Sequence, residues 1–232
     1  MQKVSCMLLH LDFKLDEVQI NNRMVRVEAL PMGINYESYH QASENKEVHQ
    51  AIERTRKLFG EHKLILSVDR LDYSKGILHR LRGFATFLEH HAEYHGKVTL
   101  AMVIVPSRDH VGSYAELKTK IDEEIGSING RYSTMNWTPV CYFYHGFSLE
   151  ELTAMYYVAD IALVTPLRDG MNLVAKEYVA TKCDNPGVLI LRHTFFLKCQ
   201  CTEFTHRMVL SGCYHKIFRR ILQTHLHRFL TP

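Results

Sequence analysis

The segment IALVTPLRDGMNLVAKEYVATK occupies residues 161–182 and decides the fold class. Residues 161–165 are apolar or β-branched, and this run has the length of a buried strand. Residues 172–182 have the pattern of a helix, and Asn172 is a suitable N-cap for a helix that begins at Leu173. The segment therefore predicts a strand, a loop and a helix in direct succession.

The same alternation extends over residues 60–191. Further apolar runs predict strands at 64–68, 98–105, 140–145 and 187–191, and amphipathic stretches predict helices at 76–92, 110–126 and 149–158. The strict alternation of strands and helices predicts an α/β domain with a doubly wound parallel sheet, covered by helices on both faces. The ligands of such a domain bind beyond the carboxyl ends of its strands.

Residues 1–60 and 192–232 differ from this central pattern. The first segment is interpreted as a lead-in, with a strand at 24–30, a Pro/Gly-containing linker at 31–35 and a surface helix at 45–59. The doubly wound domain is assigned to 61–191. Residues 192–232 form a basic tail that is rich in cysteine and histidine.

The composition is that of an ordinary globular protein, because 46% of the 232 residues are hydrophobic and 23% are charged. A net charge of +3 is too small to indicate nucleic acid as the main partner. No apolar run reaches the ~18 residues that a membrane span needs. The start of the chain lacks the apolar stretch of a secretory signal, so we expect a cytoplasmic protein.

The first candidate site is SVDRLDYSKG at residues 67–76, which follows a predicted strand and precedes a predicted helix. Arg70 and Lys75 place two cations near a helix N-terminus, which already favours anions through its free N–H groups. This combination suits a diphosphate. The alternative is a solvated loop in which Arg70 pairs with Asp69 or Asp72.

The second candidate site is TPLRDGMNLVAKE at residues 165–177. Gly170 would let the backbone approach a ligand closely, and Asn172 would start a helix whose N–H groups face the pocket. Glu177, about one turn further along, would accept hydrogen bonds from sugar hydroxyls. The alternative is a capped helix with an exposed pair of Lys176 and Glu177.

A weaker candidate is Arg108, which follows the predicted strand at 98–105. A lone arginine in such a place is most often a surface charge. It gains interest because the carboxyl ends of parallel strands share one edge of the sheet.

These motifs closely resemble the trehalose-6-phosphate synthases. The resemblance is carried by VDRLDYSKG at 68–76, PSRDHV at 106–111, INGRYSTMNWTPV at 128–140 and LVTPLRDGMNLVAKEYVA at 163–180. It extends from about Leu30 to Leu191. It implies the C-terminal, UDP-sugar-binding Rossmann-like half of a GT-B fold. It also implies transfer of glucose from UDP-glucose to glucose 6-phosphate, with retention of configuration and without a cofactor or metal.

The resemblance also assigns roles to individual residues. Arg70 and Lys75 match the pair that holds the donor diphosphate, Arg108 matches an arginine on the acceptor phosphate, and the backbone of Phe147 matches a contact to uracil. Asp169 matches a carboxylate on the transferred glucose, so Arg70, Lys75 and Asp169 are the expected catalytic residues. The remaining donor-binding positions are Gly170, Met171, Asn172, Leu173, Val174, Ala175, Lys176 and Glu177.

The family mechanism needs no protein nucleophile. The acceptor hydroxyl would attack from the face that UDP leaves, and negative charge would accumulate on the departing diphosphate. Arg70, Lys75 and the helix start would stabilise that charge, which is electrostatic preorganisation.

The chain departs from the family at both ends. Nothing in residues 1–30 can replace the N-terminal domain that supplies most of the acceptor pocket in the family, and the resemblance stops after Leu191. We therefore expect a truncated chain with impaired transfer. The alternatives are a non-catalytic nucleotide-sugar-binding or regulatory subunit of a synthase complex and an unproductive product. An unpaired sheet edge would favour association of the chain with itself or with other synthase subunits.

The tail carries two weaker patterns. Cys199, Cys201, Cys213 and His215 do not have the spacing of a common zinc module. Residues 216–230 have the pattern of a basic amphipathic helix, which we expect to pack on an exposed apolar surface of the same chain rather than on a membrane or a partner.

Overall fold

The computed structural model describes residues 13–14, 17–20, 23–26, 32–107, 112–182, 186–192 and 208–211. The chain divides into two compact units, residues 1–33 and residues 34–232. Among the described residues, no helix has the length and apolar character needed to cross a membrane.

The smaller unit contains a three-stranded antiparallel sheet. Its strands are β1 (Phe13–Lys14), β2 (Glu17–Ile20) and β3 (Arg23–Arg26). The strand predicted at 24–30 corresponds to β3, and residues 27–31 lie outside the described part of the chain.

The larger unit alternates strands and helices. Its strands are β4 (Lys63–Arg70), β5 (Val98–Val105), β6 (Val140–Phe143), β7 (Ile161–Val164), β8 (Val188–Arg192) and β9 (Met208–Ser211). Its helices are α1 (Tyr36–His40), α2 (Lys46–Phe59), α3 (Ile77–His90), α4 (Gly112–Tyr132), α5 (Leu149–Val158) and α6 (Leu173–Thr181). Short 3₁₀ turns occur at Ala42–Glu44, Tyr73–Lys75 and Ala92–Tyr94.

The six strands of the larger unit form one parallel sheet in the order β6-β5-β4-β7-β8-β9. The chain begins this sheet at β4, adds β5 and β6 on one side, and then returns to add β7, β8 and β9 on the other. The direction of winding therefore reverses between β4 and β7, and such a reversal opens a crevice at the carboxyl ends of the two strands. The predicted α/β fold with a doubly wound parallel sheet is confirmed.

Helices cover both faces of this sheet. Alternate residues of β4 point to opposite faces, as the period of a strand requires. Ile65, and Leu71 just after the strand, enter the core with α3 and α4, whereas Leu64 and Leu66 enter a second core with α5 and α6. Burial on both faces explains why the strands are continuously apolar rather than alternating.

Side-chain caps define several of the helix starts. Asn45 accepts a hydrogen bond from the amide of Glu47 at the start of α2, and Asn172 accepts one from Ala175 at the start of α6. Ser148 and Glu151 form a reciprocal capping box at the start of α5. Each cap satisfies amide groups that the first turn of a helix leaves without a partner.

The structure divides the chain differently from the sequence analysis at two places. Residues 34–60, assigned to the lead-in, belong to the larger unit, because the apolar side of α2 is buried against α5 through Val48, Ile52 and Ala154. In the tail, β9 pairs with β8, so the sheet extends beyond residue 191. The edge of β8 is thus paired. The predicted helix at 216–230 lies outside the described residues.

Lys182, just after α6, makes the free energy of unfolding depend on pH. The residue is 3% exposed, and its Nζ donates a hydrogen bond to the carbonyl of Tyr157 at 2.5 Å. Burial lowers the pKa of Lys182 from 10.5 to about 8, while the charge of Asp160 opposes the change. Between these two pH values the unfolded chain binds more protons than the folded chain, so the free energy of unfolding rises with pH in this window.

We expect this contribution to reach on the order of 3 kcal/mol between pH 8 and pH 10.5. Urea denaturation at several pH values measures it as the difference between the unaltered chain and Lys182→Met, since other titrating groups cancel. Lys57→Met, which removes an exposed lysine of α2, is the matched control. Equal pH profiles for Lys182→Met and the unaltered chain would refute the prediction.

Candidate functional site

Two loops meet at the crevice between β4 and β7. One follows β4 and runs over residues 71–76, and the other follows β7 and runs over 165–172. The backbone amides of Leu167 and Arg168 both donate to the carbonyl of Ser74, at 2.6 and 3.1 Å. The two candidate sites of the sequence analysis are therefore parts of one site.

An ion pair between two side chains also joins the loops. Lys75 Nζ lies 2.7 Å from Asp169 Oδ2, and the side chains are only 15% and 16% exposed. Asn172 Nδ2 donates to the same carboxylate oxygen at 3.0 Å. Within the described part of the chain no hydrogen bond engages Asp169 Oδ1, and Nζ has two further N–H donors. Both groups therefore retain capacity for a ligand.

The start of α6 supplies backbone donors beside this pair. The cap from Asn172 Oδ1 occupies the amide of Ala175, at 2.9 Å. The amides of Leu173 and Val174 precede it in the first turn, and neither donates a hydrogen bond to another described residue. A Cβ atom placed on Gly170 would meet no atom within 4 Å, so the space beside this loop is open. The arrangement presents N–H groups and a positive helix end to an anion.

Local turn chemistry places Lys75. Asp72 caps the 3₁₀ turn by accepting hydrogen bonds from the amide and the hydroxyl of Ser74, at 2.8 and 2.6 Å. Gly76 then adopts a left-handed conformation with φ of 67°, which favours glycine because it has no Cβ. This pair of residues turns the chain sharply between β4 and α3, with Lys75 in the bend.

Glu177 is held by a tyrosine that the sequence analysis missed. Tyr156 on α5 donates to Glu177 Oε2 at 2.8 Å, and Tyr39 on α1 lies close enough for the charge of the same carboxylate to affect its pKa. Burial is the larger cause, and the negative charge of Glu177 the smaller, of a rise in both tyrosine pKa values. The pKa of Tyr39 rises to about 12, and that of Tyr156 rises well above its ordinary value. Both phenols therefore remain donors at neutral pH. The alternative of an exposed Lys176/Glu177 pair is wrong, because both residues are half-buried and Lys176 Nζ contacts Met171 Sδ.

Arg70 is the exposed last residue of β4. Strand alternation places it on the same face as Leu66 and Val68, which is the face that α6 covers. The alternative in which Arg70 pairs with Asp69 is wrong, because Asp69 pairs with Arg80. No ion pair of Arg70 occurs within the described ranges.

Phe147 follows β6 and precedes α5, and it is not in contact with the Lys75–Asp169 pair among the described interactions. Its ring packs edge-on against Phe143, with centroids 5.2 Å apart. The side chain lines a cavity of about 120 Å³ together with residues of α2 and α5. The expected contact to uracil concerns its backbone and stays a prediction.

Two of the expected features lie outside the described residues. Arg108 is in the gap at 108–111, so its place at the acceptor phosphate stays a prediction. The cysteines and histidine considered for zinc lie in 193–207 and 212–232. Among the residues that are described, no group of three or more His, Cys, Asp or Glu side chains is arranged to hold a metal ion.

Arg80 on α3 is a further charged residue beside the site, and the sequence analysis missed it. It is 1% exposed and pairs with Asp69. Burial raises the pKa of Asp69, and the charge of Arg80 offsets part of this rise. The signal was present in the sequence, because Arg80 lies on the apolar stripe of Ile77, Leu81 and Phe84 at helical spacing. A charge at such a position indicates a buried partner.

Comparison with known proteins gives concordant results. The sequence model of glycosyltransferase family 20 matches residues 2–195, so the expectation that the resemblance begins at about Leu30 is wrong. The bifunctional trehalose-6-phosphate synthase/phosphatase of Thermoproteus tenax is 43% identical over 178 residues, covering 77% of this chain and 24% of that protein. The 56 kDa subunit of the UDP-forming α,α-trehalose-phosphate synthase of Saccharomyces cerevisiae is 38% identical, over 75% of this chain and 35% of that protein.

Solved structures of trehalose-phosphate synthases are also similar to this chain. A UDP-forming α,α-trehalose-phosphate synthase from Burkholderia xenovorans superposes with a TM-score of 0.80 and 32% identity, covering 99% of this chain and 50% of that one. The Escherichia coli protein bound to UDP-2-fluoro glucose gives 0.75 and 32%, over 82% and 43% of the two chains. The chain thus spans between a quarter and a half of the length of these proteins.

Proposed function

The chain belongs to glycosyltransferase family 20, and from this membership we propose that it forms the UDP-glucose site of a trehalose-6-phosphate synthase. The larger unit has the α/β architecture of one Rossmann-like half of the GT-B fold found in its structural neighbours. The proposed reaction of the whole protein is transfer of glucose from UDP-glucose to glucose 6-phosphate, giving trehalose 6-phosphate and UDP.

The observation that carries this proposal is the Lys75–Asp169 contact at the switch point of the sheet, beside the open start of α6. We propose that the donor diphosphate lies against Lys75, Arg70 and the amides of Leu173 and Val174. An ammonium, a guanidinium and a helix start would together match the charge and acceptor oxygens of a diphosphate.

The same groups would favour the chemical step. As the bond between the anomeric carbon and the diphosphate oxygen breaks, negative charge grows on the departing UDP. Donors that are already in place stabilise this charge without reorganisation. The free oxygen of Asp169 would accept a hydrogen bond from a hydroxyl of the transferred glucose, and the Lys75 and Asn172 contacts fix its carboxylate for that purpose.

Glu177 is the proposed acceptor for the ribose hydroxyls, because the hydrogen bond from Tyr156 fixes its carboxylate on α6. A hydrogen bond to a charged acceptor contributes about 1.5–3 kcal/mol, so we expect the chain to bind UDP about tenfold more tightly than 2′-deoxy-UDP. In Glu177→Gln we expect this preference to fall to about threefold or less, since the acceptor is no longer charged.

Calorimetric titration with the two nucleotides measures this preference. Glu123→Gln, which neutralises an exposed carboxylate of α4, is the matched control and should retain the full preference. An unchanged preference in Glu177→Gln would rule out the ribose assignment.

The test of the proposed function combines binding with turnover. The purified chain is titrated with UDP and UDP-glucose in a calorimeter, and release of UDP is then followed in the presence of glucose 6-phosphate. Binding with release supports a synthase, whereas binding without release supports the nucleotide-sugar-binding or regulatory subunit. Failure to bind either nucleotide would overturn both. Association with itself or with other synthase subunits, the contact of Arg108 with the acceptor phosphate and a cytoplasmic location all stay predictions.

A further inference from the structure

Arg80 is a fully buried arginine beside the candidate site, and its guanidinium joins parts of the chain that are distant in sequence. Its Nη1 pairs with Asp69 Oδ2 at 2.6 Å, and the two side chains are 0% and 4% exposed. Nη1 also contacts the hydroxyl of Ser67. Both partners are on β4, so one side of the guanidinium is fixed to the central strand of the sheet.

The other side of the guanidinium reaches the two loops of the site. Arg80 Nη2 donates to the backbone carbonyl of Lys75 at 3.0 Å, and Nε donates to Thr165 Oγ1 at 3.2 Å. Thr165 directly follows β7 and begins the loop that carries Asp169. One planar group therefore spans the carboxyl end of β4, the turn of Lys75 and the end of β7.

This geometry fixes the backbone from which the Lys75 side chain extends. Lys75 lies in a one-turn 3₁₀ segment, and the hydrogen bond from Arg80 holds its carbonyl relative to the sheet. The Lys75 ammonium then reaches Asp169 from this fixed base. A lysine at position 80 would keep a positive charge for Asp69, but a single ammonium lacks the fork that reaches all of these acceptors together.

We propose that Arg80 is a positioning residue for the nucleotide diphosphate, which holds Lys75 in place at the rim of the sheet without touching the ligand. This inference rests on the proposed function, because it assumes that Lys75 binds the diphosphate of UDP. It predicts that the effect of Arg80 on nucleotide affinity passes through Lys75.

A double-mutant cycle tests this dependence. UDP affinity is measured by calorimetry for the unaltered chain, Arg80→Lys, Lys75→Ala and the double variant. We expect Arg80→Lys to weaken UDP binding about tenfold in the unaltered background and less than about twofold in the Lys75→Ala background. A merely structural role for Arg80 would weaken binding by the same factor in both backgrounds, and that result, or an unchanged affinity of Arg80→Lys, would overturn the inference.

Circular dichroism would reveal whether Arg80→Lys fails to fold. For that case, a second pair of variants tests the same inference. Thr165→Val removes the acceptor of Nε, and Thr165→Ser keeps it as the control. We expect about threefold weaker UDP binding in Thr165→Val only when Lys75 is present. If the unaltered chain does not bind UDP, the proposed function fails and this inference fails with it; if it binds UDP and the effects are additive, only this inference fails.

Discussion

Replacing Lys75 with alanine is expected to weaken UDP binding by about ten- to a hundredfold, because a charge-assisted hydrogen bond to the diphosphate is lost. The Lys75 side chain is 15% exposed, so the lost contact lies in a region that is partly shielded from water. Shielding strengthens such an interaction relative to one on the surface. Under the proposed function, the rate of glucose transfer by the whole protein should also fall by about 10² or more, since the charge on the diphosphate grows in the transition state.

Calorimetry with UDP measures the loss, and Lys120→Ala is the matched control. Lys120 is an exposed lysine of α4, so this variant makes the same change of charge at a solvated position. We expect the control to bind UDP within about twofold of the unaltered chain, since solvated charges are weakly coupled to a site. A folded Lys75→Ala chain with full UDP affinity would contradict the assignment.

Replacing Arg80 with methionine is expected to lower the free energy of unfolding by about 3–5 kcal/mol. The substitution leaves the carboxylate of Asp69, whose side chain is 4% exposed, buried without its partner Arg80. Loss of one member of a buried pair is costly because the remaining charge is neither solvated nor compensated. Urea denaturation followed by circular dichroism provides the measurement.

Arg82→Met provides a contrast on the same helix. Arg82 is 64% exposed and lies 3.5 Å from Glu124, so it is a surface pair and contributes about 0–1 kcal/mol. Adding Asp69→Asn to Arg80→Met should recover part of the lost stability, because the buried negative charge is removed. Equal destabilisation by Arg80→Met and Arg82→Met would show that the buried pair has no special role.

The sequence predicted five of the six strands of the parallel sheet, all but β9, because each of these five is a short apolar run. The strand at 98–105 and the helix at 149–158 have the predicted bounds, and α6 begins at Leu173 because Asn172 caps it. Local signals of this kind depend on neighbouring residues only, and the strict alternation of elements leaves few ways to arrange them.

The sequence predicted less about the contacts within the site. It placed Lys75 and Asp169 at the same edge of the sheet, but their ion pair joins residues 94 positions apart and depends on strand order. It also did not associate Tyr156 with Glu177, because their hydrogen bond arises only when α5 and α6 pack together. Long-range polar partners of this kind are set by tertiary structure, not by local pattern.

A crystal structure of the chain with UDP is the most direct test of the central claim. We predict diphosphate oxygens within about 3 Å of Lys75 Nζ and of the amides of Leu173 or Val174, beside the crevice between β4 and β7. A diphosphate bound elsewhere, with Lys75 still paired only with Asp169, would contradict the account.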